Sequence, residues 1–449
     1  MSSLEAVSLF YNRYCYPDYP LFLSLRWQDG YHGSTAFAAD LCHKHLGAQN
    51  KILIAGCGAV QPYILSKIEP LRNQIYACDL AANTLKRARL RTLLSLNRIR
   101  YFQSSIQNLS SKLKIKFDHI DSYGVIHHND DPLKQLSFLA KLLKPKGTLR
   151  LMVYNHFARK TIQHLQNIFK LAGFNSDKTQ DVVTAQKIFA HWASLIPAVG
   201  ELKKNIGEKN LYSLPRFADT FLHPKEARVS YDEIVSHCKL NDLRIIGLFD
   251  RYGELDDLKN PLWNAPSAKA LNERLKDRRF ENNYEIYLCK LDQKSNRSSP
   301  GKKKKSILRY FHTLRLCLRG APRFWRGFHE TRELNRWTRQ KVWIAMNLSL
   351  HLGRHEFASR TLSRLSIPCL KRLARLGAIT RMQAKIWQLE EILSEPIHAF
   401  MESPSETAKA SQEEAEKALI YLEQYKKIES EKRTKIRSLL LTLNISNLD

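Results

Sequence analysis

Five short apolar runs alternate with helical patterns between residues 51 and 154, and few folds accommodate such an alternation. The segments between the runs repeat apolar residues at helical spacing, as residues 82–95 and 132–143 do. Strands that alternate with helices predict a parallel sheet with right-handed crossovers. An α/β domain is therefore expected in this region. The predicted strands are KILIAG, QIYACD, RIRYFQ, FDHIDSYG and GTLRLMVY.

Beyond this region the pattern changes to helices and then returns to strands. Residues 157–240 show helical patterns without a strong strand, whereas LRIIGLF and NYEIYLCK are typical of two further strands. We interpret the helical part as an insertion or lid within the α/β domain, and we predict one long final helix from about Ser403. The predicted organisation is a helical and aromatic N-terminal arm over 1–50, the α/β domain over 51–292, a basic linker over 293–305 and a basic, all-helical C-terminal domain over 306–449.

The charge of the chain is unevenly distributed. The 449 residues contain 72 Lys and Arg against 43 Asp and Glu, which gives a net charge of +29. Residues 294–341 alone hold 15 basic and two acidic residues. A basic block of this density typically contacts nucleic acid, an anionic membrane surface or an acidic protein. RNA or an acidic protein is the partner expected for residues 294–345, with a solvated helical face as the alternative.

Composition excludes several classes of protein. No window approaches the 20 or so consecutive apolar residues of a membrane span, so no transmembrane segment is expected. The N-terminus lacks the pattern of a secretory signal. The eight cysteines are dispersed and form no C-x-x-C pair, which argues against a disulfide framework and a zinc site. The cytoplasm is the expected location.

Two glycines in the turn after the first predicted strand indicate a cofactor that contains adenosine. Gly56 and Gly58 tolerate unusual dihedral angles and let a ligand approach the backbone. Asp79 lies about 20 residues further on, where a carboxylate accepts hydrogen bonds from ribose hydroxyls. Gln61 occupies the place of the third glycine of a dinucleotide site, and no P-loop lysine follows. The pattern favours S-adenosylmethionine, which has no phosphates, over NAD; a purely structural turn is the other alternative.

Longer segments resemble class I S-adenosylmethionine-dependent methyltransferases. The resemblance is carried by ILIAGCG, IYACDLAANTLKRAR, YGVIHHNDDP and LKPKGTLRLMVYNHFAR. YNRYCYPDYP and DTFLHP are similar to segments of a bacterial subgroup in which such domains often lie beside helical repeats. The resemblance implies an α/β fold with a Rossmann-like, seven-stranded methyltransferase sheet and a helical insertion, and it implies S-adenosylmethionine as the cofactor.

The same resemblance implies the residues of the cofactor site. The turn after strand one lines the methionine and ribose end of the cofactor, and Asp79 holds the ribose. The loop after strand three usually offers an acid to the adenine, and Ser105 stands at that position. The predicted cofactor-binding residues are Gly56, Cys57, Gly58, Asp79, Leu80, Ser105, Ile106 and Tyr123, with no metal ligand among the predictions.

Candidate catalytic residues follow strands four and five, whose carboxyl ends border the ligand crevice of an open parallel sheet. His127, His128 and Tyr154 are predicted there, with one histidine as a general base and Tyr154 as a group that orients the acceptor. The alternatives are a histidine that fixes its loop and a tyrosine that packs in the core. Adjacent histidines are not expected to face the crevice together. Asp219 and His223 are hypothesised to reach over the site from the insertion.

The predicted function is methyl transfer from S-adenosylmethionine to an unidentified acceptor, namely a protein side chain, a small metabolite or RNA. The tyrosines of the N-terminal arm are hypothesised to close over the cofactor, with an arm that is merely packed on the domain as the alternative; they are Tyr11, Tyr14, Tyr16 and Tyr19. The basic helical C-terminal domain is predicted to mediate interactions. A catalytically inactive protein that binds nucleic acid or acts as a scaffold is the alternative function.

Overall fold

The computed structural model describes residues 2–21, 33–41, 49–207, 211–250, 253–254, 283–292, 341–342, 344–345, 355–367, 370 and 410–443. Within them the strands are β1 (Lys51–Ala55), β2 (Gln74–Asp79), β3 (Ile99–Gln103), β4 (Phe117–Ser122), β5 (Leu143–Tyr154), β6 (Leu243–Asp250), β7 (Gly253–Glu254) and β8 (Asn283–Lys290). The helices are α1 (Ser3–Arg13), α2 (Thr35–Leu41), α3 (Gln61–Ile68), α4 (Ala82–Thr92), α5 (Ile106–Lys112), α6 (Pro132–Leu142), α7 (His156–Leu171), α8 (Thr179–Leu195), α9 (Pro197–Ile206), α10 (Leu214–Phe221), α11 (Tyr231–Leu240), α12 (His355–Leu362), α13 (Gln412–Glu423) and α14 (Ser430–Leu441), with a 3-10 helix at Ile126–His128.

The strands form one mixed sheet in the order β3-β2-β1-β4-β5-β8-β6-β7. The neighbours among β1 to β5 are all parallel, and β8 is antiparallel to both β5 and β6. The seven longer strands confirm the predicted Rossmann-like methyltransferase sheet. The two-residue β7 adds only a short antiparallel pairing at the edge, against β6.

The order of the strands changes direction at β1. Strands β2 and β3 lie on one side of β1, whereas β4 and β5 lie on the other, so the topological switch point falls between β1 and β4. Open α/β sheets bind ligands in the crevice outside the carboxyl ends of the strands at this point. Gly56 follows β1, Asp79 ends β2 and Tyr123 follows β4, so the fold brings all three to the same edge.

Both faces of the sheet are covered, and the central strands are therefore buried on both sides. Ile52 packs on one face with Leu65 of α3. Leu53, its neighbour along β1, packs on the opposite face with Leu136 of α6. Burial on both faces explains why the strand sequences are nearly continuous apolar runs and do not alternate with polar residues.

Helices α7 to α10 build a second hydrophobic core beside the sheet, and the C-terminal helices α13 and α14 complete it. Trp192 is fully buried there and stacks on Phe169 with ring centroids 5.8 Å apart. Its Nε1 donates a hydrogen bond to the carbonyl oxygen of Ala418 at 3.0 Å. Lys426 Nζ also lies 2.8 Å from the Asp181 carboxylate. The C-terminal helices are thus packed against the helical insertion, which the sequence analysis did not anticipate.

Two predictions about helices are corrected by this packing. The predicted insertion includes α11, but Tyr231 and Ile234 of this helix lie in the core of the sheet, so the inserted core ends before α11. The single final helix is wrong, because the described part of that region forms α13 and α14. The break between them brings Leu422 and Leu440 into one core, which a straight helix would hold apart.

Some predictions fall outside the part of the chain that the structure describes. The basic linker and residues 306–340 are among them, as are all but four residues of the predicted anionic-partner segment. Each helix within the described ranges is too short or too polar to cross a membrane.

Candidate active site

The turn after β1 is a close backbone crossing that requires glycine. Gly56 has a φ of 65° and Gly58 a φ of 54°, in the left-handed region that side chains disfavour. A Cβ atom at Gly56 would lie 2.5 Å from Cγ2 of Val125, in the loop after β4. The two loops that border the switch point therefore touch at a position that no side chain fits.

Asp79 connects this turn to the end of β2. Its carboxylate accepts hydrogen bonds from the backbone N–H groups of Gly58 at 2.9 Å and Ala81 at 3.0 Å. Burial raises the pKa of Asp79, against the opposing effect of these N–H donors. The carboxylate is only partly covered, so the acid predicted to hold the ribose lies at the border of the crevice.

The other predicted cofactor residues have mixed surroundings. The Cys57 side chain is buried in the sheet core, where burial raises the pKa of its thiol. The Leu80 carbonyl oxygen accepts a hydrogen bond from Ser8 Oγ at 3.1 Å. Ser105 caps α5 by accepting a hydrogen bond from the N–H of Asn108 at 3.1 Å. The side chains of Cys57 and Ser105 are thus engaged within the fold.

Ile106 and Tyr123 complete the predicted set. Ile106 is buried in the sheet core. Tyr123 is 39% exposed and lies at the same edge of the sheet as the glycine turn. The Arg150 guanidinium lies over the Tyr123 ring, 4.6 Å from its centroid. Tyr123 is therefore the predicted residue whose side chain is most accessible and also held in place.

A buried polar network beneath the switch point was not predicted as a unit. Arg150 is 4% exposed and pairs with Glu285 at 2.7 Å and with Asp121 at 3.4 Å. Gln61 donates a hydrogen bond from Nε2 to Asp121 at 2.5 Å. This hydrogen bond connects the start of α3 to the end of β4. The only sequence signal for this contact was its place in the glycine turn, where a dinucleotide site has glycine.

The histidines after β4 belong to a second cluster, which lies between the sheet and the insertion. The His127 ring is 4.1 Å from the Tyr154 ring and 4.3 Å from the His128 ring, centroid to centroid. The His128 ring is in turn 4.0 Å from the His223 ring. Both adjacent histidines therefore lie in one buried aromatic cluster, because partners from different segments meet each ring.

The backbone of Lys225 assigns the tautomers of two of these histidines. His128 Nδ1 lies 3.0 Å from the carbonyl oxygen of Lys225, so Nδ1–H donates and the Nε2 lone pair is available. His223 Nδ1 accepts from the N–H of Lys225 at 3.1 Å, so His223 carries its proton on Nε2. Burial lowers the pKa of His128 to about 4 and places the pKa of His223 well below its ordinary value.

Asp219 is the acid of this cluster. It is 8% exposed and accepts a hydrogen bond from the Tyr11 hydroxyl at 3.0 Å. Burial raises its pKa to about 7. Ligand atoms of His128, Asp219 and His223 lie within 4.8 Å of one another, which is also a spacing for metal ligands. Because His223 Nε2 is protonated, the trio suits proton transfer better than metal coordination.

Arg159 and Tyr154 belong to the same cluster as the histidines. The Arg159 guanidinium lies 3.9 Å from the centroid of the Tyr154 ring and is paired with Glu226. Burial raises the pKa of Tyr154, so its hydroxyl stays protonated at neutral pH. Tyr154 can therefore donate a hydrogen bond to an acceptor but cannot serve as a base.

Helix α1 links the two halves of the site. Ser8 contacts Leu80 on the cofactor side, and Tyr11 contacts Asp219 on the insertion side. The carbonyl oxygen of Tyr16 lies 3.5 Å from the position of a Cβ on Gly58. The N-terminal arm therefore lies against the glycine turn.

The strand order, the glycine turn at the switch point and the acid at the end of β2 define a class I S-adenosylmethionine-dependent methyltransferase domain. In agreement, the model of a methyltransferase domain family matches residues 53–149. The chain is 30% identical over 266 residues to an uncharacterised protein of Synechococcus, covering 56% of this chain and 61% of that protein.

Two further proteins are similar to this chain, one in sequence and one in structure. The chain is 33% identical over 105 residues to the ubiquinone biosynthesis O-methyltransferase of Xanthomonas campestris, covering 23% of this chain and 43% of that enzyme. The solved structure of PKMT2 from Rickettsia typhi aligns with a TM-score of 0.44 at 14% identity, covering 75% of each chain. The chain thus spans less than two thirds of the length of the Synechococcus protein and of the Xanthomonas enzyme.

Proposed function

We propose that the protein transfers a methyl group from S-adenosylmethionine to an acceptor bound between the sheet and the helical insertion. The observation that carries the proposal is the Asp79 carboxylate, held at the switch point beside the glycine turn. Asp79 would accept hydrogen bonds from the ribose hydroxyls, and the turn at Gly56 and Gly58 would let the methionine part approach the backbone. Leu80, Ser105 and Ile106 would border the adenine.

The bound cofactor would supply a methyl group on a sulfonium centre. The chain's own contribution is then to position the acceptor, exclude water and take up a proton where the acceptor loses one. Tyr154 and the guanidinium of Arg159 would orient the acceptor at one wall. The arm would exclude water above the glycine turn.

Asp219 is the better base of the buried cluster. The sequence assigns this role to His127 or His128, but burial lowers the pKa of both histidines, so their affinity for a proton is weak. A general base is most effective when its pKa lies near the working pH, as that of Asp219 does at about 7. The Nε2 lone pair of His128 would accept a hydrogen bond from the acceptor and orient it, while the Asp219 carboxylate takes up the proton.

A base near the acceptor favours a hydroxyl group as the atom methylated, since a hydroxyl must lose its proton during the reaction. One of the partial relatives is an O-methyltransferase, which agrees with this choice. A small metabolite, a protein side chain or an RNA ribose would each provide a hydroxyl.

We retain RNA or an acidic protein as the partner of residues 294–345. The five described cysteines are free thiols, which suits the reducing cytoplasm.

Calorimetric titration with S-adenosylhomocysteine tests the cofactor assignment, with NAD as the competing ligand. Micromolar binding of S-adenosylhomocysteine is expected, without binding of NAD. Asp79→Ala is expected to weaken binding by about 100-fold, because it removes a charged partner of the ribose. Asp79→Asn keeps the shape of the side chain and one of the two oxygens that accept from Gly58 and Ala81, so it separates loss of the charge from loss of the whole side chain. Absence of binding by the wild-type protein would favour the inactive scaffold instead.

A further inference from the structure

Five leucines at the amino edge of the sheet are exposed to solvent. The exposed fractions are 74% for Leu93, 84% for Leu94 and 75% for Leu96, and 54% for both Leu71 and Leu90. Isolated exposed leucines are common on protein surfaces, but a contiguous group of them marks an interaction site. We refer to these five residues as the leucine patch.

The leucine patch comes from two neighbouring turns at one edge of the sheet. Leu90 lies in the last turn of α4, and Leu93 and Leu94 directly follow this helix, where the N–H of Leu93 donates to the carbonyl oxygen of Leu90 at 3.4 Å. Asn97 ties the following turn to the loop that holds Leu71, because its Nδ2 donates to the carbonyl oxygen of Glu69 at 3.2 Å. The patch thus lies at the start of β2 and β3, at the opposite edge from the candidate active site.

Exposed cations accompany the leucine patch in the sequence, although Arg100 among them lies against Tyr76 on the other face of the sheet. Segment 70–102 has one acidic residue, Asp79, which lies at the end of β2 and therefore at the opposite edge of the sheet from the patch. Arg72, Lys86 and Arg98 make no ion pair with any described residue, so their charges are not neutralised within that part of the chain. The exposed basic residues of the segment are Arg72, Lys86, Arg89, Arg98 and Arg100.

We infer that the leucine patch binds an anionic membrane surface. Exposed leucines with exposed cations beside them in the chain match the chemistry of a lipid interface, where apolar side chains enter the acyl boundary and cations pair with headgroups. A protein interface is less well matched, because leucine is under-represented among the residues that carry its binding energy and the patch holds no aromatic residue. Since the patch and the active site lie at opposite edges, membrane attachment would leave the crevice accessible.

Flotation of the full chain with lipid vesicles tests this inference. The vesicles are pure phosphatidylcholine or phosphatidylcholine with about one third phosphatidylglycerol, at physiological ionic strength. The wild-type protein is expected to bind only the anionic vesicles. Leu93→Ser/Leu94→Ser/Leu96→Ser is expected to lower the apparent vesicle affinity at least about tenfold, because three apolar side chains are lost from the interface.

A matched control separates the patch from general hydrophobicity. Leu240→Ser removes an 80% exposed leucine at the end of α11, and wild-type vesicle binding is expected. Equal binding by the triple variant and the wild-type protein would overturn the inference and assign binding to the basic block at 294–341. No vesicle binding by the wild-type protein, with self-association that the triple variant abolishes, would overturn it in favour of a second copy of the chain.

Discussion

Gly56→Ala is expected to weaken S-adenosylhomocysteine binding by at least about 100-fold. The new Cβ would lie 2.5 Å from Val125 Cγ2, and the backbone φ of 65° is unfavourable for alanine. Either the turn after β1 or the loop after β4 must move, and both border the crevice in which the cofactor is proposed to bind. Calorimetric titration of the folded variant measures the effect.

Gly173→Ala is the matched control, because Gly173 shares the unfavourable dihedral but not the contact. Its φ is 78°, and no atom lies within 4 Å of the position that its Cβ would occupy. This variant is expected to lose a little stability and to bind S-adenosylhomocysteine within about twofold of the wild-type protein. Wild-type affinity in Gly56→Ala would refute the proposal that the crossing of the two loops shapes the cofactor site.

Asp219→Asn is expected to stabilise the protein at pH 8 while impairing methyl transfer. The pKa of Asp219 is about 7 in the folded protein, against an ordinary value of 3.8. Between these pH values the folded state binds more protons than the unfolded state, so this residue lowers the free energy of unfolding as the pH rises. Asparagine removes that penalty, which amounts to about 4 kcal/mol at most.

Denaturant unfolding of both proteins at pH 3.5 and at pH 8 measures the difference, which is expected to appear only at the higher pH. The buried histidines, whose lowered pKa values act in the opposite direction, are common to both proteins. The rate of methylation of a hydroxyl acceptor should fall by about 100-fold or more. Equal stability of the two proteins at pH 8 would contradict the assignment of Asp219 as a buried group with a raised pKa.

The cofactor side of the site was predictable because its signals are local. A strand that ends in glycine, and an acid at the end of the next strand, place Gly56 and Asp79 at one sheet edge in any parallel α/β arrangement. The structure confirms that sheet and puts both glycines of the turn at positive φ. Ser105 shows the limit of such reasoning, since a side chain at the expected position acts as a helix cap.

The acceptor side depends on contacts between distant segments. Tyr11 and Asp219 are 208 residues apart in the chain, and neither the hydrogen bond between them nor the raised pKa of Asp219 follows from a local pattern. One histidine of the pair His127 and His128 was predicted as a base from the ordinary pKa of histidine, but burial lowers the pKa of both. The contact between Trp192 and Ala418 spans 226 residues and was equally hidden from sequence analysis.

The crystal structure of the complex with S-adenosylhomocysteine tests the central claim most directly. The account predicts the ribose hydroxyls within hydrogen-bonding distance of the Asp79 carboxylate and the homocysteine part against Gly56 and Gly58. The sulfur atom should point toward the cluster that contains Tyr154 and Asp219. A ligand bound elsewhere on the chain, or a ribose turned away from Asp79, would contradict the account.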